Sequence, residues 1–575
     1  MGETQLQGIA ASSGITIGPA YCYFPPEMVI PSRKLESVEQ ELTLFNLARA
    51  QARAELNKLY AMMLQRTGEK EAAIFEAHQM ILDDPAFINK VRKAVAGGQI
   101  IEQAVSLATE DLAQMLSRMA NEVFAARAMD VKDVGRRILR ILLGLPDCTL
   151  GSMDVPSIVI AHDLTPSDTA SLDPKHTLGF CTVAGGLTSH SAILARTLGI
   201  PAIVALGDNL VKSVPAGTML VLDGQTGTLL IDPPPAVVES YRQKQQARAD
   251  WLQQVRATTD QPARTANGRR VEVTANIGDL ASAREAVAYG AEGVGLLRTE
   301  FLYLDETQPP SEEKQYHTYR KIFETLGPRP VIVRTLDIGG DKPPSYLPFP
   351  KEMNPFLGWR AIRISLDRPE LFKSQLRAIL RAAEGYQARI MFPMIVDLDE
   401  LRQARNVVEA VKRELKAEQI PFATDVPIGI MVETPAAAVL VDVLAEAADF
   451  FSLGTNDLTQ YTLAVDRGNA TISALYQPLH PSVLRLIKQT IDLAHSKGKW
   501  VGMCGELAGM PKAIPILLGL GLDEFSMGPR SIPEAKHLIG KLGDEKSRAI
   551  AARALGLGTT AEIEAFMQQV LDDID

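Results

Sequence analysis

Apolar positions recur at different periods along the 575 residues, and each period predicts a different architecture. The opening GIAASSGITIGPAYCY alternates small and β-branched residues and reads as a short strand pair. From Pro31 to Leu145 the apolar residues return at helical spacing in LTLFNLARAQARAELNKLYAMMLQ, IFEAHQMIL and VGRRILRILLG, with breaks at Asp84-Pro85 and Gly97-Gly98. Four or more antiparallel helices would bury those stripes. Strand text resumes in PSIVIAHDL, TLGFCTV, IPAIVALGD and TMLVLDGQTGTLLID and stops at Pro233-Pro234-Pro235. The simplest organisation is an α/β domain of residues 1–30 and 146–232, with a helical bundle of residues 31–145 inserted in it. Residues 233–261 are polar and helical and read as a linker.

Beyond Pro262 come eight strand candidates: VEVTANIG, GVGLLRTE, VIVRTLDIGGD, RIMFPMI, IGIMVETP, FFSLGTNDL, WVGMCGEL and EFSMG. Helical segments such as LDELRQARNVVEAVKREL separate most of them. Eight such alternations over residues 262–575 predict a (β/α)8 TIM barrel, so the fold class is a multidomain α/β protein.

Composition narrows the function classes. The 69 acidic and 59 basic residues give a net charge of -10, which argues against nucleic acid or an anionic membrane as the main partner. The four cysteines, Cys22, Cys148, Cys181 and Cys504, form no CxxC pair, so a disulfide framework or structural zinc is not expected. No segment approaches the roughly 20 apolar residues of a membrane span, and MGETQLQGIA lacks the pattern of a signal peptide. A cytoplasmic location without membrane insertion is the expectation.

Active sites of such barrels lie at the carboxyl ends of the strands. There the sequence puts Arg298-Thr299-Glu300, Arg334-Thr335-Leu336-Asp337, Glu433, Asn456-Asp457 and Cys504-Gly505-Glu506. Arginine forks suit phosphate or carboxylate, and two carboxylates on neighbouring strands suit a hard cation, Mg2+ or Mn2+. A second constellation is GGLTSHSAILARTLGIPAIV, residues 185–204. Its glycines permit a tight turn, and helical text follows. His190 is thereby expected near a helix amino terminus, where backbone N–H groups favour phosphate and a neutral imidazole can act as nucleophile. The other seven histidines have no comparable setting.

GGLTSHSAILAR resembles the phosphohistidine signature of the phosphoenolpyruvate-utilising enzymes. DEFSMGPRSIP and FFSLGTNDLTQYTLAVDR resemble the second signature of that family, and the helical insertion and total length are similar to its enzyme I members. The resemblance implies that His190 accepts the phosphoryl group of phosphoenolpyruvate and passes it to the phosphocarrier protein HPr, releasing pyruvate, as the first step of sugar uptake. It implies Glu433 and Asp457 as Mg2+ ligands and Arg298, Arg334, Asn456, Asp457, Arg467 and Arg360 as contacts of phosphoenolpyruvate. Cys504 would be the acid that protonates the enolate carbon. HPr would dock on the helical segment, around EKEAAIFEAHQMILDDP with His78 and Asp83, and around AARAMDVKDVGRR with Arg127. A homodimer through the barrel is also implied, as is a swing of the phosphohistidine domain about the 233–261 linker. Alternatives are a nitrogen-branch enzyme I paralogue, a pyruvate phosphate dikinase or phosphoenolpyruvate synthase relative, or an idle regulatory homologue. The dikinase needs a nucleotide-binding domain for which the chain has no glycine-rich loop. The idle copy would be expected to have lost part of the set just named.

Overall fold

The computed structural model describes residues 4–574 except 25–27, 67–68, 118–121, 146–149, 151–152, 154, 166–167, 169–171, 174, 187–190, 193–194, 196–198, 305, 307, 340–343, 345, 348, 350–351, 468 and 470–471. Two compact units divide it, Met1–Arg248 and Ala249–Asp575.

In the first unit five helices follow one another: α1 (Val38–Arg66), α2 (Glu69–Asp83), α3 (Pro85–Ala96), α4 (Ile101–Ser117) and α5 (Glu122–Leu142). Their apolar stripes meet in a core that includes Phe45, Leu56, Phe75, Leu82, Phe87, Val91 and Val105. The break at Asp84-Pro85 is a helix start: the Asp84 carboxylate accepts the Ala86 N–H at 2.7 Å, and proline fills a first-turn position where no N–H is needed. His78 is fully buried in line with Phe75 and Leu82. Its Nε2 lies 3.3 Å from Asp130 and its Nδ1 3.9 Å from Asp133. It therefore belongs to the buried stripe, and the expectation that it lies on a docking face is corrected. Asp83, which pairs with Arg49 and Arg53, and Arg127 are exposed.

The sheet of this unit takes β1 (Thr4–Gln7), β2 (Ile9–Ser12) and β3 (Ile15–Tyr23) from before the helices. From after them it takes β4 (Ser157–Ala161), β5 (Thr177–Thr182), β6 (Ala202–Val204), β7 (Met219–Asp223) and β8 (Thr228–Ile231). The order is β1-β8-β7-β3-β4-β5-β6-β2, with β3 to β6 parallel. The predicted opening pair exists as two strands but not as a pair: β2 lies against β6, and β3 between β7 and β4. Alternation determines which face of a strand is buried; it carries no information on the neighbour. A helix, Pro235–Thr258, follows β8.

The second unit is a closed barrel of eight parallel strands: β9 (Glu272–Ile277), β10 (Val294–Leu297), β11 (Val331–Arg334), β12 (Ala388–Phe392), β13 (Ile428–Val432), β14 (Phe451–Leu453), β15 (Val501–Met503) and β16 (Glu524–Met527). All eight predicted strands are present. Their outward residues pack on helices through Phe323, Phe372, Ile379, Val408, Ile487 and others, all buried. Inside, Phe450 stacks on Trp500 with ring centroids 4.8 Å apart, and the Arg389 guanidinium lies 4.7 Å from the Trp500 ring. Two glycines make room for this filling. A Cβ on Gly429 would meet the Phe450 ring at 2.6 Å, and one on Gly502 would stand 2.4 Å from Glu524 Oε2.

Glu524 is buried inside the barrel, with Oε1 accepting the Thr274 hydroxyl at 2.9 Å and Oε2 unpartnered. Burial, aided by Glu272 and Asp523 and opposed by Arg389 and Thr274, pushes its carboxyl up to about 7. That is above the unfolded value of about 4.3, so folding retains a proton and the stabilisation is lost as pH rises from about 4.5 to about 7. Glu524→Gln is expected to gain about 2–3 kcal/mol over the parent chain between about pH 5 and about pH 8. Urea unfolding of the barrel at the two pH values measures this; parallel stability curves would contradict it.

Candidate active site

The carboxyl ends of β11, β13, β14 and β15 converge on one cluster of charge. Arg334 closes β11 and is buried; its guanidinium donates to Glu300 Oε1 at 2.8 Å and reaches Asp337 Oδ2 at 3.0 Å. Arg360 arrives from a later segment and is also buried, contacting both Asp337 oxygens at 3.0 and 3.3 Å. Gly339 makes that approach feasible. It adopts φ +109°, and a Cβ there would stand 2.6 Å from the Arg360 Cβ. Asp337 thus lies between two arginine forks. Burial alone would raise its carboxyl, but Arg334, Arg360 and Arg298 outweigh burial and hold it below the ordinary value. Burial likewise opposes the charge of both arginines, and the carboxylates around them more than compensate, raising both.

Glu433 follows β13 and Asp457 follows β14, the neighbouring strand, and both are buried. Glu433 Oε1 accepts the Met394 N–H at 2.6 Å. Burial and the adjacent Asp457 and Asp337 charges push its carboxyl up to about 8. Asp457 Oδ2 is 3.6 Å from Arg360 and Oδ1 is 3.6 Å from Arg467, and Oδ1 has no hydrogen-bond partner. Two crowded carboxylates, one with an orphaned buried oxygen, are the donor set a hard divalent cation would relieve. Among the described residues no group of three or more His, Cys, Asp or Glu side chains forms a metal cage, so further ligands would have to come from substrate or water.

Asn456 precedes Asp457 in the first turn of the helix Thr455–Leu463, and its Oδ1 accepts the Glu506 N–H at 3.0 Å. Gly505 allows this contact between the ends of β14 and β15, since a Cβ there would overlap Thr455 Oγ1 at 1.8 Å. Cys504, one residue earlier, is buried, with Sγ 3.9 Å from the Leu453 carbonyl. Burial pushes the thiol up to about 11, so it is protonated at neutral pH and can serve as an acid. Arg298 is exposed at the end of β10.

The strand-end residues anticipated from sequence, Arg298, Arg334, Glu433, Asn456, Asp457 and Cys504, and the two that the family resemblance added, Arg360 and Arg467, all have described positions at this mouth. His190 lies outside the described residues; Ser191 and Ala192, which follow it, are helical and buried. Tyr461 joins the site although no motif points to it: its hydroxyl accepts from Arg360 at 3.1 Å and donates to the Phe356 carbonyl at 2.5 Å. Its only signal was its place four residues after Asp457, one helical turn on.

Three family models match the chain: PEP-utilising enzyme, N-terminal, at residues 7–127; mobile domain, at 153–227; and PEP-binding domain, at 252–543. A phosphoenolpyruvate-protein phosphotransferase of Bacillus sp. (strain S) is 44% identical over 99% of this chain and 98% of its own length. Proteins of the same name from Haemophilus influenzae, 44% identical over 98% of this chain and 99% of theirs, and Staphylococcus carnosus, 42% over 98% and 99%, match equally broadly. The chain belongs to the phosphoenolpyruvate-utilising enzyme family, among its phosphoenolpyruvate-protein phosphotransferases.

Proposed function

We propose that the protein takes the phosphoryl group of phosphoenolpyruvate onto His190, releases pyruvate, and passes the group to HPr as the first step of phosphotransferase sugar uptake. The observation that carries this reading is the pair of buried arginines, Arg334 and Arg360, held by Asp337 beside Glu433 and Asp457. Arg298, Arg334, Arg360, Asn456 and Arg467 bind and orient phosphoenolpyruvate, spreading positive charge over its oxygens. Glu433 and Asp457 hold Mg2+, which would supply further neutralisation of the phosphoryl and enolate oxygens. Cys504 gives its thiol proton to the methylene carbon of the departing enolate.

The divisions follow function: residues 1–30 and 146–232 are the mobile phosphohistidine domain, 31–145 dock HPr through a face that includes Asp83 and Arg127, 233–261 link, and 262–575 bind substrate and dimerise. The enzyme works in the cytoplasm.

The test is incubation with phosphoenolpyruvate labelled in its phosphoryl group, Mg2+ and a panel of HPr-type carriers. Acid-labile, base-stable label on the chain, then on a carrier, with equimolar pyruvate, supports the proposal. No transfer to any carrier would sink it, and label arising only with ATP would favour the dikinase reading. Cys504→Ala is expected to lower steady-state pyruvate release by about 10²–10⁴ while the first labelling of the chain persists. Rapid-quench kinetics separate the two phases, and equal losses in both would exclude the thiol as proton donor.

A further inference from the structure

Beneath Cys504 the barrel interior holds polar groups to which the reaction as proposed gives no task. Glu524 Oε2 has no hydrogen-bond partner and lies directly over Gly502. Gly502 is two residues before Cys504 on the same face of β15, and its register partner on β14 is Ser452. The Ser452 hydroxyl is buried, makes no well-formed hydrogen bond of its own, and sits beside the Cys504 thiol, where it favours the thiolate against burial. Side chains that would close this gap are missing on both neighbouring strands, since position 502 is glycine and position 452 carries only a hydroxymethyl. Below Glu524, its register partner on β9 is Glu272, which is half-buried and adjoins solvent at the barrel floor. The charged groups facing Glu524 are Arg389 from β12, Glu272 from β9 and Asp523 from its own strand's entry.

From this arrangement we infer that Glu524 reloads the Cys504 thiol through Ser452 after each turnover, drawing the proton from the barrel floor rather than from the mouth. The inference rests on the proposed role of Cys504 as acid. In each cycle the S–H bond breaks as a C–H bond forms on the enolate, leaving a thiolate. Ser452 gives its hydroxyl proton to sulfur and takes the carboxyl proton of Glu524 through a water in the gap over Gly502, and the Glu524 carboxylate regains a proton from solvent at the floor beside Glu272. No oxidation or reduction is involved. The ordering of the two groups agrees, with the carboxyl near 7 and the thiol near 11, so the proton moves downhill onto sulfur. Pyruvate need not leave the mouth for the acid to recover.

The experiment compares the full chain with its Glu524→Gln and Ser452→Ala variants, using phosphoenolpyruvate, Mg2+ and excess HPr. Both variants should label once per chain at the parent rate, because Cys504 begins each experiment protonated. Steady-state pyruvate release at saturating phosphoenolpyruvate should then fall about tenfold or more, with KM falling in proportion because the first turnover is untouched. The parent kcat should decline as pH rises above about 7, and that decline should be absent in Glu524→Gln. Parent-like steady-state rates in both variants, or a slowed Glu524→Gln that keeps the parent pH profile, overturn the relay. Failure of the parent chain to label at all would instead defeat the proposed function on which the relay stands.

Discussion

With His190 replaced by alanine, the chain is expected to carry no acid-labile phosphate after incubation with phosphoenolpyruvate and Mg2+, and to exchange no label between phosphoenolpyruvate and pyruvate. The reason is chemical. Among its described residues the barrel mouth offers arginines, carboxylates, hydroxyls and the Cys504 thiol held near 11, and none of these is a nucleophile suited to an acid-labile phosphoramidate. An imidazole is neutral and nucleophilic at neutral pH, and its sequence setting puts it immediately before the helical Ser191 and Ala192. Phosphoenolpyruvate binding to the barrel, followed by calorimetry, should be unchanged in this variant, because no barrel residue is altered. Acid-labile label retained in His190→Ala would move the nucleophile elsewhere.

Arg334→Met is expected to lower kcat/KM for phosphoenolpyruvate by about 10³, the range seen when an arginine that neutralises a transferring phosphoryl group is lost. It should also destabilise the barrel by about 3–5 kcal/mol, since the change strips Glu300 and Asp337 of a cation within 3.0 Å in a buried setting. The two effects are separable. Adding Asp337→Asn removes the excess negative charge and should recover part of the stability and none of the activity, as read by urea unfolding alongside initial rates. Recovery of activity by the double variant would mean that Arg334 acts only by supporting the fold.

Much of the mouth was legible because barrel strands end where their polar residues begin. Arg334, Glu433, Asp457 and Cys504 each follow a short apolar run, and parallel order brings such ends together. The partners were not legible. That Asp337 clamps Arg360 depends on a segment returning over Gly339, a contact no spacing in the sequence announces. His78 was misjudged although its signal was available, for it stands three residues after Phe75 and four before Leu82, on one helical stripe. The opening strands were found and their partners missed, because β6 and β7 lie about 190 or more residues downstream. Glu524 stands in plain strand text, and the alternation that turns Phe525 outward turns residues 524 and 526 inward.

The aromatic plug of the barrel also gives the molecule an optical channel of its own. Of the three tryptophans, Trp500 is sandwiched between Phe450 and Arg389 at the floor, while Trp359 directly precedes Arg360 and meets Phe349 edge-on at 5.2 Å. Emission from the first reports whether the barrel is closed, and emission from the second reports rearrangement beside Arg360, so single-tryptophan variants can follow the floor and the mouth separately without an added dye.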